Sequence, residues 1–328
     1  MTNNRHRLIR RFLTDIGWGD ARLEPLAGDA SNRRYLRVQG ERAAVLMDAP
    51  RESGEDTAPF VQVTQLLRGR GFSAPEIIAS DPENGFLLLE DLGDDLFARA
   101  VAQQDEVTLY AAAVDMLVEL QASPAPASLP RYDAATCCRE ARLLTQWYIP
   151  GAGGTGDEAE LDALIHAACA PWLDANVVVL RDFHAENLIW LPQRQGTARV
   201  GLLDYQDALA GHPAYDLVSL LEDARRDTSP ALRSAMVARF VQATGADPDT
   251  FAAAYATYGA QRNIKILGIF ARLSMRDGKP GYLNLMPRVW SHLQRDLRHP
   301  ALADLHAWVD ANVPPPDAGL HIRIGAAR

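Results

Sequence analysis

Lysine is nearly absent from this chain. Only Lys265 and Lys279 occur among its 328 residues, so residues 1–264 carry none. Positive charge as a whole is in deficit: 33 Lys and Arg stand against 42 Asp and Glu, a formal net charge of −9. Nucleic-acid and anionic-membrane binders need a dominant basic surface, so neither partner is expected. Cysteine is also scarce. Cys137, Cys138 and Cys169 are an odd number with no C-x-x-C pair, which reads as free thiols in a reducing compartment and points to the cytoplasm. No charge-free apolar run is long enough to span a bilayer. Met1 to Leu13 holds five Arg or His residues and no long apolar run, so a signal peptide is not expected. What remains is ordinary globular composition, 48% hydrophobic and 23% charged. The length suits one large domain or two lobes sharing a cleft.

Periodicity divides the chain. Leu8, Ile9, Phe12, Leu13 and Ile16 recur at helical spacing. Strands are expected at Leu23–Leu26, Tyr35–Val38 and Ala43–Met47, with a glycine-containing loop from Gly28 to Asn32 between the first two. A helix follows Pro59, and two more strands cover Ile77–Ile78 and Phe86–Leu89. After Gly93 the pattern turns helical: Leu96–Leu120, about Thr136–Trp147, a helix ending near Trp172, and most of Tyr215–Val309. The tail around Pro314–Pro316 reads as irregular. Strands first and helices afterwards imply an α+β architecture with segregated lobes. The boundary is expected between a strand-rich lobe, 1–92, and a larger helical lobe, 93–328.

One segment between helices carries the chemistry. An apolar strand, Val177–Leu180, runs into Arg181-Asp182, and Asn187 stands at the fifth position after that Asp. Leu188–Leu191, a turn and Val200–Leu203 form a hairpin that delivers Asp204. Antiparallel pairing would bring Asn187 and Asp204 to the same end of it. An amide oxygen and a carboxylate are hard ligands suited to a magnesium ion that also binds phosphates. Asp182, one loop earlier, is then placed to accept a proton from an attacking hydroxyl. These are the parts of a phosphoryl-transfer site: catalytic Asp, metal-binding Asn, and a second metal-binding Asp.

The sequence here resembles the aminoglycoside phosphotransferase family, the small-molecule branch of the protein-kinase-like fold. Its members carry H-G-D-x-H-x-x-N and a later I-D-[WFY]-x-x-A. This chain has Leu180-Arg181-Asp182-Phe183-His184-Ala185-Glu186-Asn187 and Leu203-Asp204-Tyr205-Gln206-Asp207-Ala208. Leu180 and Arg181 depart from the usual His-Gly. A closer resemblance rests on Gly28–Tyr35, Leu46–Pro50, Gly85–Gly93 and Gln261–Leu273. These segments are similar to those of bacterial cell-wall-recycling sugar kinases, which phosphorylate N-acetylmuramate and N-acetylglucosamine at the anomeric hydroxyl. The resemblance implies a two-lobed kinase-like fold, ATP and Mg2+ as cofactors, and a sugar as acceptor. Another acceptor, such as an aminoglycoside, choline or homoserine, and a nucleotide-binding module without turnover are the competing readings.

The nucleotide side departs from the kinase pattern. Kinases place a Lys on the third strand and a Glu on the next helix. Met47 stands at the Lys position, and the helix offers Gln62 and Gln65. Gly28, Asp29, Ala30, Ser31 and Asn32 form the expected phosphate loop. Arg33 or Arg34 is the nearest cationic substitute, and only one of two consecutive strand residues can face inward. The backbone of Glu90 and Leu92 is expected at the adenine edge. On the acceptor side, Tyr258, Arg262, Lys265, Arg272 and Arg276 share a helix face, a basic stripe suited to an anionic acceptor. Trp147 and Tyr215, with Tyr148 and Tyr205, are candidates to stack on a sugar ring. His184 and Asp207 either approach the acceptor or support the loop. Asp216 is expected to anchor the loop from the following helix.

Overall fold

The computed structural model describes residues 3–26 and 33–326. Helix α1 (Asn3–Asp15) precedes strands β1 (Arg22–Pro25), β2 (Arg34–Gln39) and β3 (Ala43–Asp48). Helix α2 (Ala58–Gly69) and strands β4 (Ile77–Asp81) and β5 (Phe86–Glu90) follow. Next come helices α3 (Phe97–Ala100), α4 (Glu106–Gln121), α5 (Ala134–Ala141), α6 (Ile149–Gly151) and α7 (Glu158–Cys169). Short strands β6 (Val177–Val179), β7 (Leu188–Trp190), β8 (Val200–Leu202) and β9 (Leu209–Gly211) carry the motif region. The chain closes with helices α8 (Ala214–Leu221), α9 (Pro230–Thr244), α10 (Pro248–Met275), α11 (Met286–Asp296), α12 (Ala303–Asn312) and α13 (Ala318–Ala326).

The chain forms two compact units. One runs to Gln104 and takes in Glu186–Asp207; the other holds Asp105–Ala185 and Ala208 onward. The sequence puts its boundary at 92/93, but hydrogen bonding carries the first unit further. The β7–β8 hairpin joins it because Trp190 N–H donates to Asp95 O (2.8 Å) and Leu202 N–H to Ser73 O (3.0 Å). Leu92, Ile189 and Leu191 close a small apolar cluster over the join.

In this first unit the antiparallel sheet has the order β1-β2-β3-β5-β4. Strand periodicity gives it two faces. Leu36, Val38, Ala44, Leu46, Phe86 and Leu88 pack against Ile9, Phe12 and Leu13 of α1. On the other face Tyr35, Met47 and Leu87 lie side by side in register. The end of β3 is locked to α1 by Arg5 and the fully buried Asp48, 2.6 Å apart.

The second unit is built on α10, whose 28 residues are about twice the length of an average helix. Asp247 caps it by accepting from Thr250 N–H, with Pro248 in the first turn. Asp105, Asp133, Asp157 and Ser229 cap α4, α5, α7 and α9 in the same way. Strand β6 pairs with β9, so the segment entering the motif region lies beside the one leaving it.

Candidate active site

Strand β6 leads straight into Leu180-Arg181-Asp182. The two N–H groups that follow it are both claimed by Asp216: Leu180 N–H donates to Oδ2 (2.7 Å) and Arg181 N–H to Oδ1 (2.8 Å). Asp216 sits fully buried in the first turn of α8. Burial, with a contribution from the Asp182 charge, pushes its carboxyl up to about 7, against the pull of the two N–H donors. Ser219 Oγ donates to Arg181 O (3.0 Å) and accepts from Arg262 Nη2 (3.0 Å). Asp182 N–H donates to Leu180 O (2.9 Å), and Asp182 O accepts from His184 N–H (3.1 Å). The loop is therefore tightly tied before Asp182 is reached. His184 is 6% exposed. Burial depresses its pKa, with Arg225 and Arg262 adding to the effect, so it is a neutral ring inside the second unit.

In the first unit, Leu188 pairs with Leu202 and Leu203 N–H donates to Asn187 O (2.9 Å). Asn187 and Asp204 thus stand at one end of the hairpin. Asp204 adopts φ +54, a left-handed backbone costing a non-glycine residue on the order of 1–2 kcal/mol. Its neighbour Tyr205 holds it there. The Tyr205 ring is 1% exposed, stacks on Phe60 at 5.0 Å, and its hydroxyl lies 2.7 Å from Thr64 Oγ1. The Asp204 carboxylate is left on the surface, where Gln206 Nε2 donates to Oδ1 (3.0 Å). A surface carboxylate and an amide oxygen are suitable magnesium donors. Among the described residues no three His, Cys, Asp or Glu cluster as an all-protein cage. A metal here would complete its shell with phosphate oxygens and water, which is magnesium's usual mode.

The phosphate loop expected at Gly28, Asp29, Ala30, Ser31 and Asn32 lies outside the described residues. Next to it, Arg33 and Arg34 differ. Arg34 is exposed. The Arg33 side chain is 13% exposed and pairs with Glu55 at 2.8 Å. Burial works against the Arg33 charge, but Glu55 outweighs it, and Tyr35 and Asp204 add to the pull. Burial and then the Asp204 charge push Tyr35 up to about 12. Met47 is 1% exposed on the same sheet face as Tyr35. Glu90 N–H is already used by Glu76 O (2.8 Å), and its carboxylate takes Arg194 at 2.5 Å. Arg37 ties Asp91 (2.7 Å) and Asp94 (2.8 Å) on either side of Leu92.

The acceptor candidates scatter. The basic stripe does not form a surface. Arg262 is 5% exposed and donates to Ser219 Oγ and toward Glu222 O (3.5 Å), because α10 is enclosed by neighbouring helices. Tyr258 is fully buried as well. Tyr215 is 1% exposed and packs edge-on to Tyr132 at 5.0 Å, so its ring cannot stack on a sugar. Tyr148 and Tyr205 are likewise core residues. Trp147 is half-buried and Asp207 exposed. Lys265 Nζ lies 3.1 Å from Glu140 and 3.3 Å from Tyr215 Oη. Two acids that the sequence reading passes over, Glu140 and Glu55, receive cations of the motif region. Neither belongs to a motif, and no spacing announces them.

The family model of the phosphotransferase enzyme family (APH) matches residues 22–254. The chain belongs to that family, its fold is protein-kinase-like, and it is a phosphotransferase. At the level of particular proteins, the N-acetylmuramate/N-acetylglucosamine kinase of Caulobacter vibrioides is 41% identical, with 96% of this chain and 98% of that one covered. The kinase of the same name from Pseudomonas aeruginosa is 38% identical over 88% and 89%. Among solved structures, choline kinase LicA from Streptococcus pneumoniae has a TM-score of 0.63 at 14% identity, covering 92% of this chain and all of that one. The GDP complex of aminoglycoside 2'-phosphotransferase-IIIa has a TM-score of 0.62 at 16% identity, over 90% and 98%. These two likenesses concern the fold.

Proposed function

We propose that the chain transfers the γ-phosphoryl group of ATP to the anomeric hydroxyl of N-acetylmuramate and N-acetylglucosamine. The observation that carries this reading is its 41% identity, over nearly both whole chains, to a kinase named for those two sugars. The catalytic motif supplies the chemistry. The acceptor oxygen attacks the γ-phosphorus, the bond to the bridging oxygen breaks, and ADP leaves. The Asp182 carboxylate orients the hydroxyl and takes its proton late, since the transition state is loose and positioning dominates. Asn187 and Asp204 would hold the magnesium. When bound, that ion neutralises charge on the phosphate oxygens. Arg33, kept in place by Glu55, serves the triphosphate where kinases use a lysine. Leu92 and Glu90 border the adenine through their backbone. A cytoplasmic setting supplies the ATP and suits the three unpaired cysteines.

The test is acceptor-dependent ADP release with N-acetylmuramate, N-acetylglucosamine, kanamycin and choline in parallel. Turnover is expected on the two acetylated sugars alone. It should vanish on chelation of divalent cations and return with added magnesium. Turnover confined to kanamycin or choline would overturn the acceptor assignment while leaving the phosphotransferase.

A further inference from the structure

Arg181 adopts φ +72, a conformation that glycine takes freely and a long side chain does not. A residue in that state has to be held there. Two holds act on its backbone, through Asp216 and Ser219. A third acts on its side chain and comes from α5, outside every motif. The Arg181 guanidinium pairs with Glu140 Oε1, and Lys265 Nζ approaches the same oxygen at 3.1 Å. The Tyr132 hydroxyl donates to Glu140 Oε2 (2.7 Å). Burial opposes ionisation of Glu140, but Lys265 and Arg181 outweigh it and hold the carboxyl below its ordinary range. Without Glu140, two largely buried cations would lose the carboxylate they share, which is far costlier than losing the whole cluster.

We propose that Glu140 is a positioning residue for phosphoryl transfer: by clamping the Arg181 guanidinium it fixes the strained peptide from which Asp182 projects. The clamp is internal, so the Arg that precedes the catalytic Asp needs no added phosphate or partner to neutralise it. The inference rests on the reading of Asp182 as the group that receives the acceptor proton.

Four variants of the full chain test it: Glu140→Gln, Arg181→Gly, both together, and Asp182→Asn. Misplacing a catalytic group slightly is enough for large losses in rate. Glu140→Gln should lower kcat about tenfold or more, with KM for ATP and for the sugar within about twofold. Arg181→Gly should lose much less, because glycine reaches φ +72 unaided and Glu140 keeps Lys265. The double variant should match Arg181→Gly rather than show the product of both losses. Thermal melts accompany each variant. If Glu140→Gln fails to fold, the double variant, which lacks the unpaired guanidinium, should fold and keep the kcat of Arg181→Gly; independent losses there overturn the clamp. Wild-type kcat in Glu140→Gln alongside an inactive Asp182→Asn overturns the clamp alone. Full turnover in Asp182→Asn overturns the underlying reading and the clamp with it.

Discussion

Asp204 and Arg181 are the two non-glycine residues with positive φ among the described residues, and both belong to the motif region. Strain of this kind persists only where the surroundings impose it, and here the imposing groups are identifiable: the Tyr205 anchor for one, Asp216, Ser219 and Glu140 for the other. The same reasoning separates the two candidate arginines. Arg33 is enclosed and paired with Glu55, whereas Arg34 is exposed. Arg33→Ala should raise the KM for ATP about tenfold, as expected for a charged hydrogen-bond partner, and Arg34→Ala should leave it unchanged. Steady-state kinetics decides, and the reverse pattern would move the role to Arg34. Asp182, Asn187 and Asp204, the proposed site residues, were legible as candidates because a short loop and one hairpin present them in a fixed order. Glu140 and Glu55 were not. Each meets its arginine across a long stretch of chain, 41 and 22 residues away, and only tertiary packing brings them together.

The type of an element shows in the sequence more clearly than its extent. The five strands of the N-terminal sheet fall within a residue or a few of where the apolar runs of the sequence place them. The run expected as one helix from Leu96 to Leu120 is broken into α3 and α4. The signal was Asp105, whose side chain accepts from Thr108 N–H and starts a new helix. Helix α13, after Pro314–Pro316, was missed because the prolines mask a segment whose buried anchors are only Leu320 and Ile324. Spacing alone cannot tell a solvated stripe from a face covered by neighbours, and the α10 face that bears Arg262 is covered. In α10 the burial is close enough to test. A Cβ on Gly268 would lie 2.2 Å from Leu143 C and 2.4 Å from Leu143 O, both backbone atoms. Gly268→Ala should therefore destabilise the protein by about 1–3 kcal/mol or more, despite alanine's better helix propensity. Equilibrium unfolding in denaturant measures this; an unchanged midpoint would contradict the packing described for α10.

The whole chain carries a formal net charge of −9, and among the described residues no helix is long and apolar enough to cross a membrane. Two enclosed histidines, one buried and one partly buried, make the stability of the protein depend on acid. Burial pushes His212 and His292 down to about 4, and His212 Nδ1 accepts from Ala214 N–H (3.2 Å) as a neutral ring. In the unfolded chain both protonate near 6.5. Their contribution is therefore complete above pH 6.5 and is lost as pH falls toward 4. Asp216, raised to about 7, works in the opposite sense and weakens stability as pH rises between about 4 and 7. His212→Phe should narrow the difference in Tm between pH 5 and pH 7.5, and an unchanged difference would remove His212 from the account.

The central claim, phosphorylation of an amino sugar at its anomeric oxygen, is tested most directly by NMR of the product formed from N-acetylglucosamine and ATP. A phosphorus resonance coupled to the anomeric proton and loss of the reducing end are expected. Phosphorus coupled to another sugar proton, with the reducing end intact, would contradict it.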